Sequence, residues 1–151
     1  MSRINYDNNT LFKGSEDNDY IENKGNHVTI QALGGNDYIL NKYGPYSSID
    51  GGADNDTVKN SSRYVTINGG SGNDSIYNDA YDVLIVHNAG DGNDVINGFK
   101  TDSTLSIAGG TATTTKTGND VIVRVGDGNI TLKGAANLET VKIIDMHSNM
   151  N

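Results

Sequence analysis

Five times along the sequence, at spacings of 18 to 20 residues, Asn-Asp closes a short glycine-rich or acidic turn and leads into a β-favouring residue. The copies are Gly14-Ser15-Glu16-Asp17-Asn18-Asp19, Ala32-Leu33-Gly34-Gly35-Asn36-Asp37, Gly51-Gly52-Ala53-Asp54-Asn55-Asp56, Gly69-Gly70-Ser71-Gly72-Asn73-Asp74 and Ala89-Gly90-Asp91-Gly92-Asn93-Asp94. A fixed period of this length marks a solenoid, because each unit is too small to bury its apolar face alone and does so by stacking on its neighbours.

Each repeat reads as two short strands. The first follows the turn and places an apolar residue two positions after Asp: Ile21, Ile39, Val58, Ile76 and Ile96. The second is seen in His27 to Ile30, Ser47 to Ile49, Tyr64 to Ile67 and Tyr81 to Val86. In Val-Thr-Ile, Val and Ile fall on one face and Thr on the other, as a half-buried strand requires. The run Val83-Leu84-Ile85-Val86 leaves open which pair faces inward. Acidic turns occur on one edge only, since Val28 and Val65 stand where the other edge would need Asp.

The core is then two stacks of Ile, Val and Leu, each one residue wide. Only 34% of residues are hydrophobic and 7% aromatic, so burial at about 25 cal/mol per Å2 recovers only part of the entropy cost of ordering the chain, about 1 to 2 kcal/mol per backbone residue. Something besides apolar burial must hold the stack. At 151 residues the chain is one domain by length.

Past Ser103 the repeat stops. Thr104 to Ile107, Asp120 to Val125, Asn129 to Leu132 and Thr140 to Ile144 read as further strands, with Val121 to Val125 and Ile130 to Lys133 joined as a hairpin through Gly126-Asp127-Gly128. The expected division is a lead-in over 1–13, a roll of five acidic turns over 14–102, a hairpin cap over 103–145 and a disordered tail over 146–151. The first ten residues are also expected to be loose. A cap is needed because an uncovered last coil exposes strand edges.

Nineteen acidic against eleven basic residues give a net charge of −8, which disfavours a nucleic-acid partner, since phosphate binding needs a basic surface. The absence of cysteine excludes disulfides, thiolate metal sites and cysteine nucleophiles. No apolar run is long enough to span a membrane. The segment Met1 to Asp7 lacks the apolar core of a cleavable signal peptide, which leaves cytoplasmic residence, another export route, or a fragment of a larger secreted chain.

Carboxylates recur at one phase of the repeat, and that placement points to a cation. Calcium takes six to eight oxygens at about 2.3 to 2.6 Å. Gly-rich turns can aim several carbonyls at one point because Gly accepts positive φ, and an Asp closing the turn adds charge. An ion between stacked turns would join successive coils. Five turns leave at most four gaps, and four Ca2+ would offset the −8 of the chain.

Gly69-Gly70-Ser71-Gly72-Asn73-Asp74-Ser75-Ile76-Tyr77 resembles the nonapeptide of the RTX, or haemolysin-type, calcium-binding repeats. The resemblance extends over residues 14 to 97, and Asp91 to Val141 is similar to the closing region of such arrays. It implies an all-β fold, a right-handed parallel β-roll or β-solenoid with a C-terminal antiparallel β cap. It also implies ligands: carbonyls at the second and fourth positions of one turn, at the first and third of the next, and both Asp side chains. The third and fourth turns then supply Gly52, Asp54 and Asp56 with Gly69, Ser71 and Asp74. In the following gap Gly70, Gly72 and Asp74 face Ala89, Asp91 and Asp94. Leu33, Gly35 and Asp37 pair with Gly51, Ala53 and Asp56, and Ser15, Asp17 and Asp19 with Ala32, Gly34 and Asp37. Asp17 and Asp54 depart from the pattern where it has Gly, as do Ala32 and Leu33 at its opening pair, so the first two gaps are expected to bind weakly.

Asn at the fifth turn position is read as a hydrogen-bonding turn residue, Tyr20 and Tyr38 as a stacked surface pair, and His27, His87 and His147 as surface residues. A glycosidase-like carboxylate pair needs one carboxyl of raised pKa beside an ionised one, an asymmetry that a periodic row does not offer. The expected function is a non-enzymatic, calcium-binding module of a secreted or cell-surface protein, exported, as the resemblance implies, by a type I secretion apparatus. Two other readings are open: a glycan- or surface-binding accessory module using Lys59, Arg63, Tyr64 and Tyr77, and a metal-free solenoid held by Asn ladders.

Overall fold

The computed structural model describes residues 2–145; the expected tail 146–151 and His147 lie outside the described residues. Chain order alternates between two sheets. The first receives β1 (Ser2–Asn5), β3 (Tyr20–Asn23), β5 (Tyr38–Asn41), β7 (Thr57–Asn60), β9 (Ser75–Asn78) and β11 (Asp94–Asn97). The second receives β2 (Leu11–Ser15), β4 (Thr29–Leu33), β6 (Ser48–Asp50), β8 (Thr66–Asn68), β10 (Leu84–Asn88) and β12 (Thr104–Ala108). Neighbours within this array pair in parallel. The result is a β-solenoid, all-β as expected, and the described residues contain no α-helix.

The register fixes a thin core. Ile21, Ile39, Val58, Ile76, Ile96 and Leu132 align along the first sheet. Across from them Phe12, Ile30, Ile49, Ile67, Ile85 and Leu105 align along the second. Apart from Phe12, all of these are buried. A third row, Val28, Ser47, Val65, Val83 and Ser103, closes the interior beside them. Val83 and Ile85 thus point inward and Leu84 and Val86 outward, because the in-register Ile67 puts Ile85 in the ladder.

Two sequence expectations shift. The first residues are not loose: β1 pairs with β3, so residues 2–15 form a first coil whose alternation is too short and polar to read alone. Nor does the parallel array end at Ser103. β12 stacks on β10; β15 (Gly128–Lys133) pairs in parallel with β11 and β16 (Lys142–Asp145) with β12. The antiparallel part is β13 (Ala112–Thr117) and β14 (Asp120–Val125), which pair with each other while β14 pairs with β15 across the expected Gly-Asp-Gly turn. The physical reason is that a further coil needs only inward apolar residues, here Ile130 and Leu132, and not the acidic motif.

The edge opposite the acidic turns carries a device that apolar periodicity did not show. Asn5, Asn23, Asn41, Asn60 and Asn78 stack in register, each Nδ2 donating to the next Oδ1 at 2.8, 2.8, 2.9 and 3.0 Å. Most also donate to a carbonyl of their own loop, as Asn60 does to Ser62 at 2.8 Å. The ladder ends at Gly98, whose φ of 82° brings it onto Asn78.

Candidate metal centre

The acidic turns lead from each second-sheet strand to the next first-sheet strand. In the second to fifth turns two residues take the left-handed conformation: Leu33 and Gly35, Gly52 and Asp54, Gly70 and Gly72, Gly90 and Gly92. Leu33 at φ 85° and Asp54 at 76° accept it despite their side chains, so their departures from Gly leave the backbone path unchanged. Close approach explains Gly70, where a Cβ would fall on the Gly52 carbonyl oxygen. The first turn differs, since neither Ser15 nor Asp17 has positive φ.

The five Asp residues form a ladder through the turns. Asp37 Oδ1 accepts the Asp19 N–H at 2.7 Å, Asp56 Oδ1 that of Asp37 at 2.8 Å, Asp74 Oδ1 that of Asp56 at 2.8 Å, and Asp94 Oδ1 that of Asp74 at 2.9 Å. One oxygen of each carboxylate from Asp37 to Asp94 therefore fixes the stacking. The other oxygens of Asp37, Asp56 and Asp74 are buried with no hydrogen-bond partner, although these residues are only 2%, 1% and 1% exposed. Lost hydration pushes their carboxyls up, to about 6 for Asp37, about 7 for Asp56 and about 8 for Asp74. The backbone N–H each receives opposes that shift, and neighbouring carboxylates add to it.

Buried charges are ordinarily paired or bound to a metal, and the surroundings of these oxygens fit a hard cation. A substituent at Gly51 would lie against both Asp56 Oδ2 and the Gly69 carbonyl, so oxygens from successive turns look into one volume there. One at Gly69 would lie against Asp74 Oδ2. Among the described residues no three His, Cys, Asp or Glu side chains converge on a point. An ion in this row would therefore be held chiefly by carbonyls, which suits calcium better than zinc.

The expected ligands are not all equally placed. Leu33, Gly52 and Asp91 each give a carbonyl lone pair to a neighbouring turn, accepting from Ala53 at 2.7 Å, Ser71 at 2.8 Å and Gly72 at 2.9 Å. A carbonyl keeps a second lone pair. The side chains of Asp17 and Asp54 lie exposed, and Asp54 Oδ2 accepts the Gly35 N–H at 3.2 Å. Asp91 Oδ2 accepts the Asn88 N–H at 2.8 Å. At the first turn, Asp19 Oδ2 accepts from both N–H and Oγ of Ser15, at 2.7 and 2.9 Å.

The fifth turn corrects the sequence alignment. Val86 pairs with Asn68 and Val95 with Ser75, so two extra residues lie inside this turn. His87, not Ala89, occupies the opening position held by Gly69 and Gly51 before it, and Ala89 is exposed. His87 is no surface residue: it is 1% exposed, its Nδ1 lies 2.8 Å from Asp94 Oδ2, and its Nε2 has no partner. Its position in the alternation of β10, two after Ile85, was the available signal.

The remaining expectations are simpler. Turn asparagines do satisfy backbone groups, each Oδ1 of Asn18, Asn36, Asn55, Asn73 and Asn93 accepting an N–H from the next coil at 2.7 to 2.9 Å. Tyr20 and Tyr38 stack at 5.4 Å. A second aromatic row, His27, Tyr46 and Tyr64, stacks at 5.0 Å per step on the opposite edge. Lys59 lies over the rings of Tyr38 and Tyr77 on the first sheet, while Arg63 and Tyr64 belong to the loop between β7 and β8.

Residues 47–59, 64–80 and 88–100 match the family described as RTX calcium-binding nonapeptide repeat (4 copies). These segments contain the third, fourth and fifth turns. No curated protein matches the sequence. Among solved structures, the extracellular lipase LipA from Serratia marcescens is similar, with a TM-score of 0.51 and 15% identity over 95% of this chain and 40% of the lipase. The chain thus spans 40% of that protein's length, and the likeness shows the fold alone.

Proposed function

We propose that this chain, which carries RTX calcium-binding repeats on a parallel β-roll, is a non-enzymatic structural module whose folding is driven by Ca2+ held between successive turns. The observation that carries the reading is the in-register row of buried, partnerless oxygens on Asp37, Asp56 and Asp74. The ions would be held by these carboxylates together with turn carbonyls, those of Leu33, Gly35, Gly51, Gly52, Ala53, Asp54, Gly69, Gly70, Ser71 and Gly72. Calcium supplies the positive charge that the ladder lacks. The chain's own part is to fix each Asp through Oδ1, to present carbonyls from left-handed backbone, and to exclude water from the carboxylate row.

Without the ion, the row confines carboxylates that repel one another, and the narrow core offsets this only in part. Binding energy then becomes folding energy. A site at 100 times its dissociation constant adds about 2.7 kcal/mol, so a few sites decide the outcome. A switch of this kind suits a chain that stays unfolded where calcium is scarce and folds outside the cell, which supports secretion, with a type I apparatus as the route. Far-UV circular dichroism during a calcium titration tests the reading: β signal should grow at millimolar calcium and not with magnesium, which demands tighter octahedral geometry. A spectrum unchanged between excess chelator and calcium sinks it.

That second outcome would favour the metal-free solenoid, for which the Asn5 to Asn78 ladder is the supporting observation. A glycan- or surface-binding role has a narrower basis, the open cleft lined by Lys42, Tyr43, Tyr46, Arg63 and Tyr64. A glycan-array screen tests it.

A further inference from the structure

The five turn carboxylates are not equivalent. Asp37, Asp56 and Asp74 in the middle of the row each keep a buried Oδ2 without a hydrogen-bond partner, whereas the Oδ2 of each Asp at the ends is met by a protein donor. Ser15 donates twice to Asp19 Oδ2, and His87 Nδ1 meets Asp94 Oδ2 at 2.8 Å.

His87 stands where a side chain has one place to go. The preceding turns open with Ala32, Gly51 and Gly69 at this register, and a Cβ at Gly51 or Gly69 would press on the turn's own Asp56 or Asp74 Oδ2. The volume beside that oxygen is therefore left open by glycine in the third and fourth turns and filled by imidazole in the fifth. We propose that His87 is a built-in occupant of the fifth turn's cation position, so that the row is closed by protein at both ends and holds three ions, one per partnerless carboxylate, rather than four.

The inference rests on the calcium reading above and adds its count and limits. Calcium takes oxygen ligands. To reach Asp94 Oδ2 it would have to displace an imidazole that is 1% exposed and whose Nε2 already lacks a partner, leaving both ring nitrogens buried and unpaired at a desolvation cost. The next coil offers no replacement carboxylate, since Ile130 pairs with Asp94.

Equilibrium dialysis of the full chain at saturating calcium tests this. The expected stoichiometry is three ions for the parent chain, four for His87→Gly, and three again when His87→Gly is combined with Asp94→Asn. Asp94→Asn alone should leave three ions, and Asp74→Asn should leave two. Four ions in the parent chain, or a folded His87→Gly chain that still binds three, overturns the proposal. Should His87→Gly fail to fold, Asp94→Asn decides: loss of one ion places Asp94 among the ligands and overturns the assignment, and an unchanged count upholds it. Calcium binding to none of these chains would instead remove the functional reading on which the proposal stands.

Discussion

A carboxylate buried without a counter-charge is unstable as an anion, and its proton and a metal ion compete for the same oxygen. Asp37, Asp56 and Asp74 are pushed up to about 6, 7 and 8 in the folded chain, against about 3.9 when unfolded. A raised folded value means that the folded state binds more protons, so the contribution to stability is complete below about pH 4 and is lost as pH rises through 6 to 8. In chelator the chain should therefore retain more β structure at pH 5 than at pH 8. With calcium the order reverses, because binding must expel those protons; circular dichroism at both pH values, in chelator and in calcium, checks the pair, and equal β signal at the two pH values in chelator would contradict it. Among single residues, Asp74→Ala should raise the calcium midpoint about tenfold or more, near 1.4 kcal/mol. Asp120→Ala, which removes a surface partner of Lys133 and of the Gly134 N–H, should move it less than about twofold. Equal midpoints would reject the assignment.

The elements show which features the sequence carried. Ile21, Ile39, Val58, Ile76 and Ile96 follow the acidic motif at constant offset, so their strand and its inward face were legible, as was the hairpin from Val121 to Lys133. Strand β1 was not, nor was the parallel stacking of β15 on β11 and β16 on β12: these rest on in-and-out alternation alone, which over four to six residues is common to any half-buried strand. The Asn ladder recurs in phase with the motif, at 23, 41, 60 and 78, yet a polar residue there reads as a loop until register shows it buried. His87 is not marked by the closing Asn-Asp, because the two extra residues of this repeat fall inside the turn, between His87 and that motif. The ladder has a consequence separate from calcium. Asn60→Ala removes donors to Ser62 and Asn78 and the acceptor of one Asn41 N–H, so denaturant unfolding in saturating calcium should show a loss of about 2 to 3 kcal/mol. A loss below about 0.5 kcal/mol would mean the ladder is incidental.

For the whole molecule, stability is a sum of nearest-neighbour interfaces, and the ends matter as much as the middle. Here β15 covers β11 and β16 covers β12. Truncation after Ala108 keeps every acidic turn but uncovers Ile96, Leu105 and two strand edges, which pair with other chains or fray. Sedimentation in calcium should show aggregates, or circular dichroism a broader transition; a monomer with an unchanged calcium midpoint would make residues 109–145 a separate module.

Cations are expected in the row of partnerless carboxylates and nowhere else along the turns. A crystal structure of the full chain grown in calcium, with anomalous scattering to locate the ions, tests it most directly. Peaks are expected at about 2.3 to 2.6 Å from carboxylate oxygens of Asp37, Asp56 and Asp74, and none between His87 and Asp94. Peaks confined to the surface or to the asparagine edge, or an ordered roll whose three carboxylates face no ion, would contradict it.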